Sequence, residues 1–166
     1  MSNFSAAATY PQVDIVVPVY NEEDAVSAFH QQLRDVIDSL PYRFTICYVN
    51  DGSSDQTSQC LTQIAEQDSR VAVIELSRNF GHQAALTAGL DQSDGDYIIT
   101  MDGDGQHPPQ LIPEMLKLAE NGYEIVLSQR IEEEGISPFK RWTSSIFYNL
   151  INRIGDTQIL PGGADF

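Results

Sequence analysis

Val13-Asp14-Ile15-Val16-Val17-Pro18 is a near-continuous apolar run of strand length, the pattern of a strand covered on both faces rather than one with a wet side. A helical pattern follows at once. Asn21 is a good N-cap residue with Glu22, Glu23 and Asp24 placed for a first turn, and Val26, Phe29, Leu33, Val36, Ile37 and Leu40 recur at helical spacing until Pro41.

Outward from this unit the alternation repeats. A strand is expected around Phe44 to Val49, then a turn at Asp51-Gly52-Ser53-Ser54 and a helix burying Leu61, Ile64 and Ala65. A third strand, Val71 to Leu76, leads into an Ala-rich helix from about Gly81 to Leu90, and a fourth, Tyr97 to Met101, runs into a pair of aspartates. Pro108-Pro109 then opens a helix through Leu111, Ile112, Met115, Leu116 and Ala119, since proline is tolerated in a first turn. Gly122 ends it, and a fifth strand is expected at Glu124 to Leu127. Alternating β and α units with short connections predict the α/β class, with a mostly parallel central sheet, helices on both faces and right-handed crossovers. Ligands of such sheets bind at the carboxyl ends of the strands. Tyr20-Asn21-Glu22, Asn50-Asp51-Gly52, Asp102-Gly103-Asp104 and Gln129-Arg130 all follow strands, so they are expected to converge on one edge.

The 166 residues, 42% hydrophobic and 20% charged, fit one globular domain with an ordinary core. A formal charge of −15 with nine basic residues argues against nucleic acid, which needs clustered Lys and Arg. Arg130, Lys140, Arg141 and Arg153 are nevertheless grouped, and no acidic residue falls from Gly135 to Gly155. Cys47 and Cys60 lack partners at metal-ligand spacing and read as core thiols of a reducing compartment. No apolar run approaches the roughly 18 to 20 residues of a membrane span. Residues 1–11 are small and polar, do not resemble a signal peptide, and are expected to be a disordered lead-in. The chain as given reads as soluble and cytoplasmic in type.

Asp102-Gly103-Asp104-Gly105-Gln106 places two carboxylates at the end of an apolar strand. Buried charge is costly unless paired, and hard oxygen ligands suit Mg²⁺ or Mn²⁺ held jointly with substrate phosphates, with small glycines admitting a diphosphate. The alternative is an Asx-turn capping the following helix; the surrounding pattern favours the metal. Asn50-Asp51-Gly52 is by itself a turn with a helix cap, although Asp51 is also suited to accept hydrogen bonds from a nucleoside. Tyr20 is placed equally well to stack on a base or to cover the sheet end. His82 opens a helix, and a lone histidine there is more often a cap or a core hydrogen-bonding residue than a base. Phe139, Trp142, Ile146, Phe147, Leu150, Ile151 and Ile154 approach helical spacing with Lys140, Arg141 and Arg153 as the only charges. A core-packed helix has this pattern, but the missing acids favour a segment lying on an anionic membrane surface.

Four ordered motifs carry a resemblance: V-x-I-V-V-P-V-Y-N-E-E from Val13, V-N-D-G-S-S-D from Val49, L-S-R-N-F-G-H-Q-A-A-L-T-A-G-L from Leu76, and M-D-G-D-G-Q-H-P-P from Met101. Over about residues 12–166 the chain resembles glycosyltransferase family 2, and within it the polyprenyl-phosphate glycosyltransferases acting on dolichol or undecaprenyl phosphate. The resemblance implies a GT-A, Rossmann-like fold over residues 12–137 and a membrane-surface segment with the start of an acceptor-side motif over 138–166. It implies transfer of a hexose-type sugar from a nucleotide diphosphate donor, a UDP-sugar in preference to a GDP-sugar, to a polyprenyl phosphate. By position, Pro18, Tyr20, Glu22 and Asp51 would line the nucleoside pocket, and Asp102 would lie near ribose and diphosphate. Asp104 and Gln106 would coordinate the metal, Arg130 would hold the donor diphosphate or acceptor phosphate, and Asp165 would lie on the acceptor side. Asp104, Arg130 and Asp165 are the residues expected to serve catalysis directly. Family members continue past the Asp165-Phe166 motif into membrane-spanning helices, so the resemblance implies a truncated chain whose full-length form sits at the cytoplasmic face of a membrane. A GDP-mannose donor, a sugar-hydroxyl acceptor and a catalytically silent nucleotide-sugar binding module are the competing expectations.

Overall fold

Every residue of β1, Gln12–Val19, pairs in parallel with β2, Arg43–Asn50, and on its other edge Val13–Val16 pair with β4, Tyr97–Thr100. The computed structural model of the protein describes residues 10–104 and 107–128. Between the strands lie α1 (Val26–Ile37), α2 (Thr57–Gln67), β3 (Val71–Glu75) and α3 (His82–Leu90). A 3₁₀ turn, Pro109–Leu111, follows β4 and leads into α4 (Ile112–Glu120). The sheet order is β3-β2-β1-β4, all parallel.

Alternation along β1 distributes the core over two faces. Val13, Ile15, Val17 and Val19 join Phe29, Leu33 and Ile37 of α1, Leu61 and Ile64 of α2, and Ile112 and Leu116 of α4. Val16 faces the other way, with Cys47, Val49 and Ala85 of α3. Helices therefore cover both faces, as the near-continuous apolar pattern of β1 requires. Asp14 interrupts that pattern and is buried, but it is fully used: Oδ2 accepts the N–H groups of Asp94 and Gly95 at 3.0 and 2.9 Å, and Oδ1 accepts from Gln12 Nε2 at 3.0 Å. It fastens the α3–β4 turn to the central strand. Cys47 is a buried core thiol whose ionisation burial disfavours.

Two sequence expectations fail. Asn21 does not cap α1, which starts at Val26 after Ala25 without any side-chain cap. Asn21 adopts a left-handed φ of 55°. Its N–H donates to Ser53 Oγ and its Oδ1 accepts the Ser54 N–H, both at 2.9 Å. The acids expected in the first helical turn join the same cross-loop web, with Glu23 Oε2 accepting the Gln56 N–H at 2.7 Å. A partner on a neighbouring loop has displaced the local cap. The expected fifth strand at Glu124 to Leu127 is also absent: these residues are irregular, with Ile125 78% and Leu127 70% exposed. Alternating apolar side chains supply a face, but a strand also needs a neighbouring backbone. The chain divides into two compact units, Met1–Glu124 and Ile125–Phe166, and the described part of the second is 125–128. The aromatic, basic segment 138–166 lies outside the described residues, among which no helix is long and apolar enough to cross a membrane.

At the opposite end of the sheet from the polar loops, the buried Asp68 anchors a charged cluster. Arg70 donates to it through Nη2 at 2.7 Å and Nε at 2.9 Å and reaches Asp38 at 2.7 Å. These bonds hold the Asp68 carboxyl at about 2. His30 stands 3.6 Å away with its Nδ1 3.1 Å from Tyr48 Oη, and burial lowers its pKa. A carboxyl depressed in the fold contributes stability that is complete above its unfolded value of 3.8 and is lost as pH falls through about 2. Asp68→Asn should therefore cost about 2–3 kcal/mol in urea unfolding at pH 7, the range for hydrogen bonds to a charged group. It should also lack the part of the stability loss that wild type shows between pH 4 and 2.

Candidate active site at the carboxyl edge of the sheet

The turning point of the fold lies between β1 and β4. From β1 the chain moves outward through β2 to β3, then crosses back by way of α3 to place β4 on the far side of β1. The loops after β1 and β4 meet at this reversal of strand order, where open α/β sheets bind ligands in a crevice beyond the strands, and both lead to helices on one face, since Ile112 and Leu116 of α4 share a core with Phe29, Leu33 and Ile37 of α1.

Gly103 closes the base of that crevice. A Cβ at this position would sit 2.6 Å from Val19 Cγ1, so only glycine lets the β4 loop rest against the end of β1. Asp102 and Asp104 are held on either side of it. Neither the 3₁₀ turn nor α4 receives a side-chain cap at its N-cap residue. Glu22, from the β1 loop, lies close enough to feel Asp104: burial first, then the charges of Asp104 and Asp55, raise its carboxyl above the usual range. Negative charge is crowded at this point. Tyr20, half-exposed, stands at the same strand end, one residue after the buried Val19.

Asp51 is buried, with 3% exposure. Its Oδ1 accepts the Phe80 N–H at 2.8 Å and its Oδ2 the Gly81 N–H at 2.9 Å. Both oxygens of Asp51 thus clamp the loop between β3 and α3, a structural role in addition to the nucleoside contact expected of it. Gly52 completes the clamp with φ 65°, where a Cβ would run into the Arg78 backbone. Above the clamp, the Arg78 guanidinium lies 4.4 Å from the centre of the exposed Phe80 ring.

His82 is neither cap nor core. α3 has Gly81 at its N-cap with no side-chain cap, and the exposed His82 ring brings Nε2 to 3.7 Å from Asp102 Oδ1. His107 lies on the other side, its Nδ1 3.4 Å from Asp102 Oδ2. Sequence reading missed both contacts. The adjacency of His107 to the aspartate motif was a signal; that of His82, twenty residues earlier in the chain, existed only once β3 and β4 flanked the central pair of strands. Of the expected site residues, Pro18, Tyr20, Glu22, Asp51, Asp102 and Asp104 lie at this edge, whereas Gln106, Arg130 and Asp165 are outside the described residues.

The exposed and partly exposed carboxylates at the crevice mouth suit a hard divalent cation such as Mg²⁺ or Mn²⁺ that takes one or two protein oxygens and completes its shell with phosphate and water. The upward pressure on Glu22 from Asp104 is what such a cation would relieve. Among the described residues no group of three His, Cys, Asp or Glu side chains forms a metal cage by itself.

Fold and crevice together define a GT-A-type α/β domain, the architecture of nucleotide-sugar transferases. The chain belongs to glycosyl transferase family 2, whose profile matches residues 14–165. It is 41% identical over 155 residues to the uncharacterized glycosyltransferase YkcC of Bacillus subtilis, covering 93% of this chain and 48% of that one. It is 36% identical over 155 residues to the bactoprenol glucosyl transferase of Shigella phage SfV, covering 93% and 50%. The chain thus spans about half the length of the curated relatives it matches. Among solved structures, S. aureus TarS in complex with UDP-GlcNAc superposes with a TM-score of 0.61 at 22% identity, covering 76% of this chain and 36% of that one. The Pyrobaculum calidifontis mannosyltransferase in complex with GDP-Man and Mn²⁺ gives 0.58 at 20% identity, covering 74% and 37%. These two likenesses concern the fold.

The crowding at Glu22 has a measurable consequence. A carboxyl raised in the fold opposes folding when ionised, and the opposition vanishes once pH falls below its unfolded value of 4.5. Glu22→Gln should raise the unfolding temperature at pH 7 and leave it near wild type at pH 4, as read by thermal denaturation.

Proposed function

We propose that this chain is the donor-binding catalytic part of an inverting, metal-dependent glycosyltransferase that moves a hexose-type sugar from a nucleotide diphosphate, a UDP-sugar in preference to a GDP-sugar, to a polyprenyl phosphate. The observation that carries the reading is the approach of Asp104 to Glu22 at the β1–β4 turning point, with Gly103 seated on Val19 between Asp102 and Asp104. The bactoprenol glucosyl transferase name of a 36% identical relative supports the lipid phosphate acceptor. The UDP-GlcNAc and the GDP-Man with Mn²⁺ named for two structural neighbours support a nucleotide-sugar donor and a divalent cation.

In this reading Tyr20 and Pro18 form a wall for the nucleobase, and Asp51 shapes the pocket through the loop it clamps. Glu22 borders the nucleoside, Asp102 faces the ribose and diphosphate, and Asp104 with Gln106 holds Mg²⁺ or Mn²⁺. The cation, when bound, neutralises charge on the departing nucleoside diphosphate. Arg130 grips a phosphate of donor or acceptor, and Asp165 stands on the acceptor side. A phosphate monoester has a second pKa of about 6 and is mostly a dianion at neutral pH, so the acceptor attacks without a general base. One acceptor oxygen forms a bond to the anomeric carbon as the bond from that carbon to the diphosphate oxygen breaks, and the configuration inverts. Orienting two anions in line is then the protein's main task. Residues 12–137 serve the donor, and 138–166 rest on the cytoplasmic face of a membrane and present the lipid phosphate.

Calorimetry with UDP, GDP and Mn²⁺ tests the donor half. Wild type should bind one nucleotide only when the metal is present, and Asp104→Asn should lose that binding by at least tenfold while keeping a cooperative unfolding transition. Absence of metal-dependent binding of either nucleotide to wild type would overturn the reading.

A further inference from the structure

His107 does not hold the Asp102 carboxylate. The Asp102 N–H donates to His107 Nδ1 at 3.2 Å, and a ring nitrogen that accepts carries no proton. His107 Nδ1, 3.4 Å from Asp102 Oδ2, therefore offers that oxygen no proton. The other carboxylate oxygen, Oδ1, faces His82 Nε2 across 3.7 Å. A carboxylate in front of a ring nitrogen favours the tautomer with its proton there, yet this gap exceeds a hydrogen bond. Both side chains stay open to solvent, His82 at 46% and Asp102 at 39%.

The backbone that carries the ring is also held in place. Asp51 fixes the N–H groups of Phe80 and Gly81, the two residues before His82, so a buried carboxylate on the β2 loop sets where the first residue of α3 stands. An N–H donor on an anchored backbone next to an acceptor, too far apart to satisfy each other, matches a group that accepts and donates through one oxygen. A hydroxyl does both. A phosphate oxygen only accepts and would be repelled by Asp102.

We infer that His82 is a donor-contacting residue: its Nε2–H and Asp102 Oδ1 together bind one ribose hydroxyl of the nucleotide, His82 donating to the hydroxyl oxygen and Asp102 accepting its proton. This rests on the nucleotide-sugar reading and adds to it a residue from a different loop and a defined ligand group. The pair makes ribose recognition depend on the β3–α3 loop as well as on the aspartate motif.

The test is calorimetry with Mn²⁺ and whichever of UDP or GDP wild type binds, together with the 2′-deoxy and 3′-deoxy forms of that nucleotide. Wild type should bind one deoxy form at least about tenfold more weakly than the parent, because that form loses the hydrogen bond to the Asp102 carboxylate as well as the one from His82. His82→Ala should weaken the parent about two- to tenfold, the worth of one neutral hydrogen bond, and leave that deoxy form almost unchanged, so the preference shrinks to what Asp102 alone supplies. His82→Gln, which keeps an N–H donor, should retain part of it. Equal weakening of the parent and both deoxy forms, or full preference in His82→Ala, overturns the assignment while leaving the nucleotide-sugar reading intact. If wild type binds neither nucleotide, both fall together. Should the variants fail to fold, nitrogen-detected NMR of wild type gives the answer: with the parent nucleotide and Mg²⁺, the His82 Nε2 signal should move and that of buried His30 should not. An unmoved His82 signal also overturns the inference.

Discussion

β1 has no free edge along Val13–Val16, where it is hydrogen-bonded in parallel to β2 on one side and β4 on the other. Parallel pairing forces every connection to cross the sheet, and right-handed crossovers put α1 and α2 on one face and α3 on the other once the chain reverses direction. From that constraint follows the location of everything chemical in the molecule. The interior of the sheet has no place for unpaired polar groups, and Asp14 is tolerated only because two backbone N–H groups and an amide satisfy it. The other carboxylates of the strand ends, Glu22, Asp51, Asp102 and Asp104 among them, collect at the carboxyl edge of the sheet.

The edge is built by contacts that look structural and serve the site. Gly103 has no side chain because Val19 occupies the space, and this brings the β4 carboxylates to the mouth of the β1 loop. Asp51 is buried under the β3–α3 loop and gives up both oxygens to its backbone. Asn21 bridges to Ser53 and Ser54 rather than serving its own helix. Three loops are thereby tied together before any ligand arrives, which lowers the ordering that ligand binding must impose. The burial of Glu22 and its crowding by Asp104 and Asp55 run against stability. Strain of this kind is expected where a cation belongs to the working state.

Much of the fold was legible in period and punctuation. The apolar run of β1, the helical spacing from Val26 and the proline after β4 each reflect local rules: side-chain burial on two faces, one stripe every 3.6 residues, and a donor not needed in a first turn. These rules do not need distant residues. Reading failed where a local rule met a distant competitor. Asn21 had the chemistry of a cap and found a better partner across the loop gap; Glu124 to Leu127 had the alternation of a strand and no paired backbone among the described residues.

By itself the sequence determined the α/β class, the order of the elements, the acidic loop after β4 and, through four motifs, the family. Those are properties of contiguous stretches. The tertiary structure alone decided which residues of different loops meet: that Asp51 clamps Phe80 and Gly81, that Glu22 shares a field with Asp104, and that His82 stands over Asp102. The physical reason is that hydrogen bonds and charges act over a few ångströms of space, and the sheet brings together at one edge side chains that the chain separates by twenty residues or more.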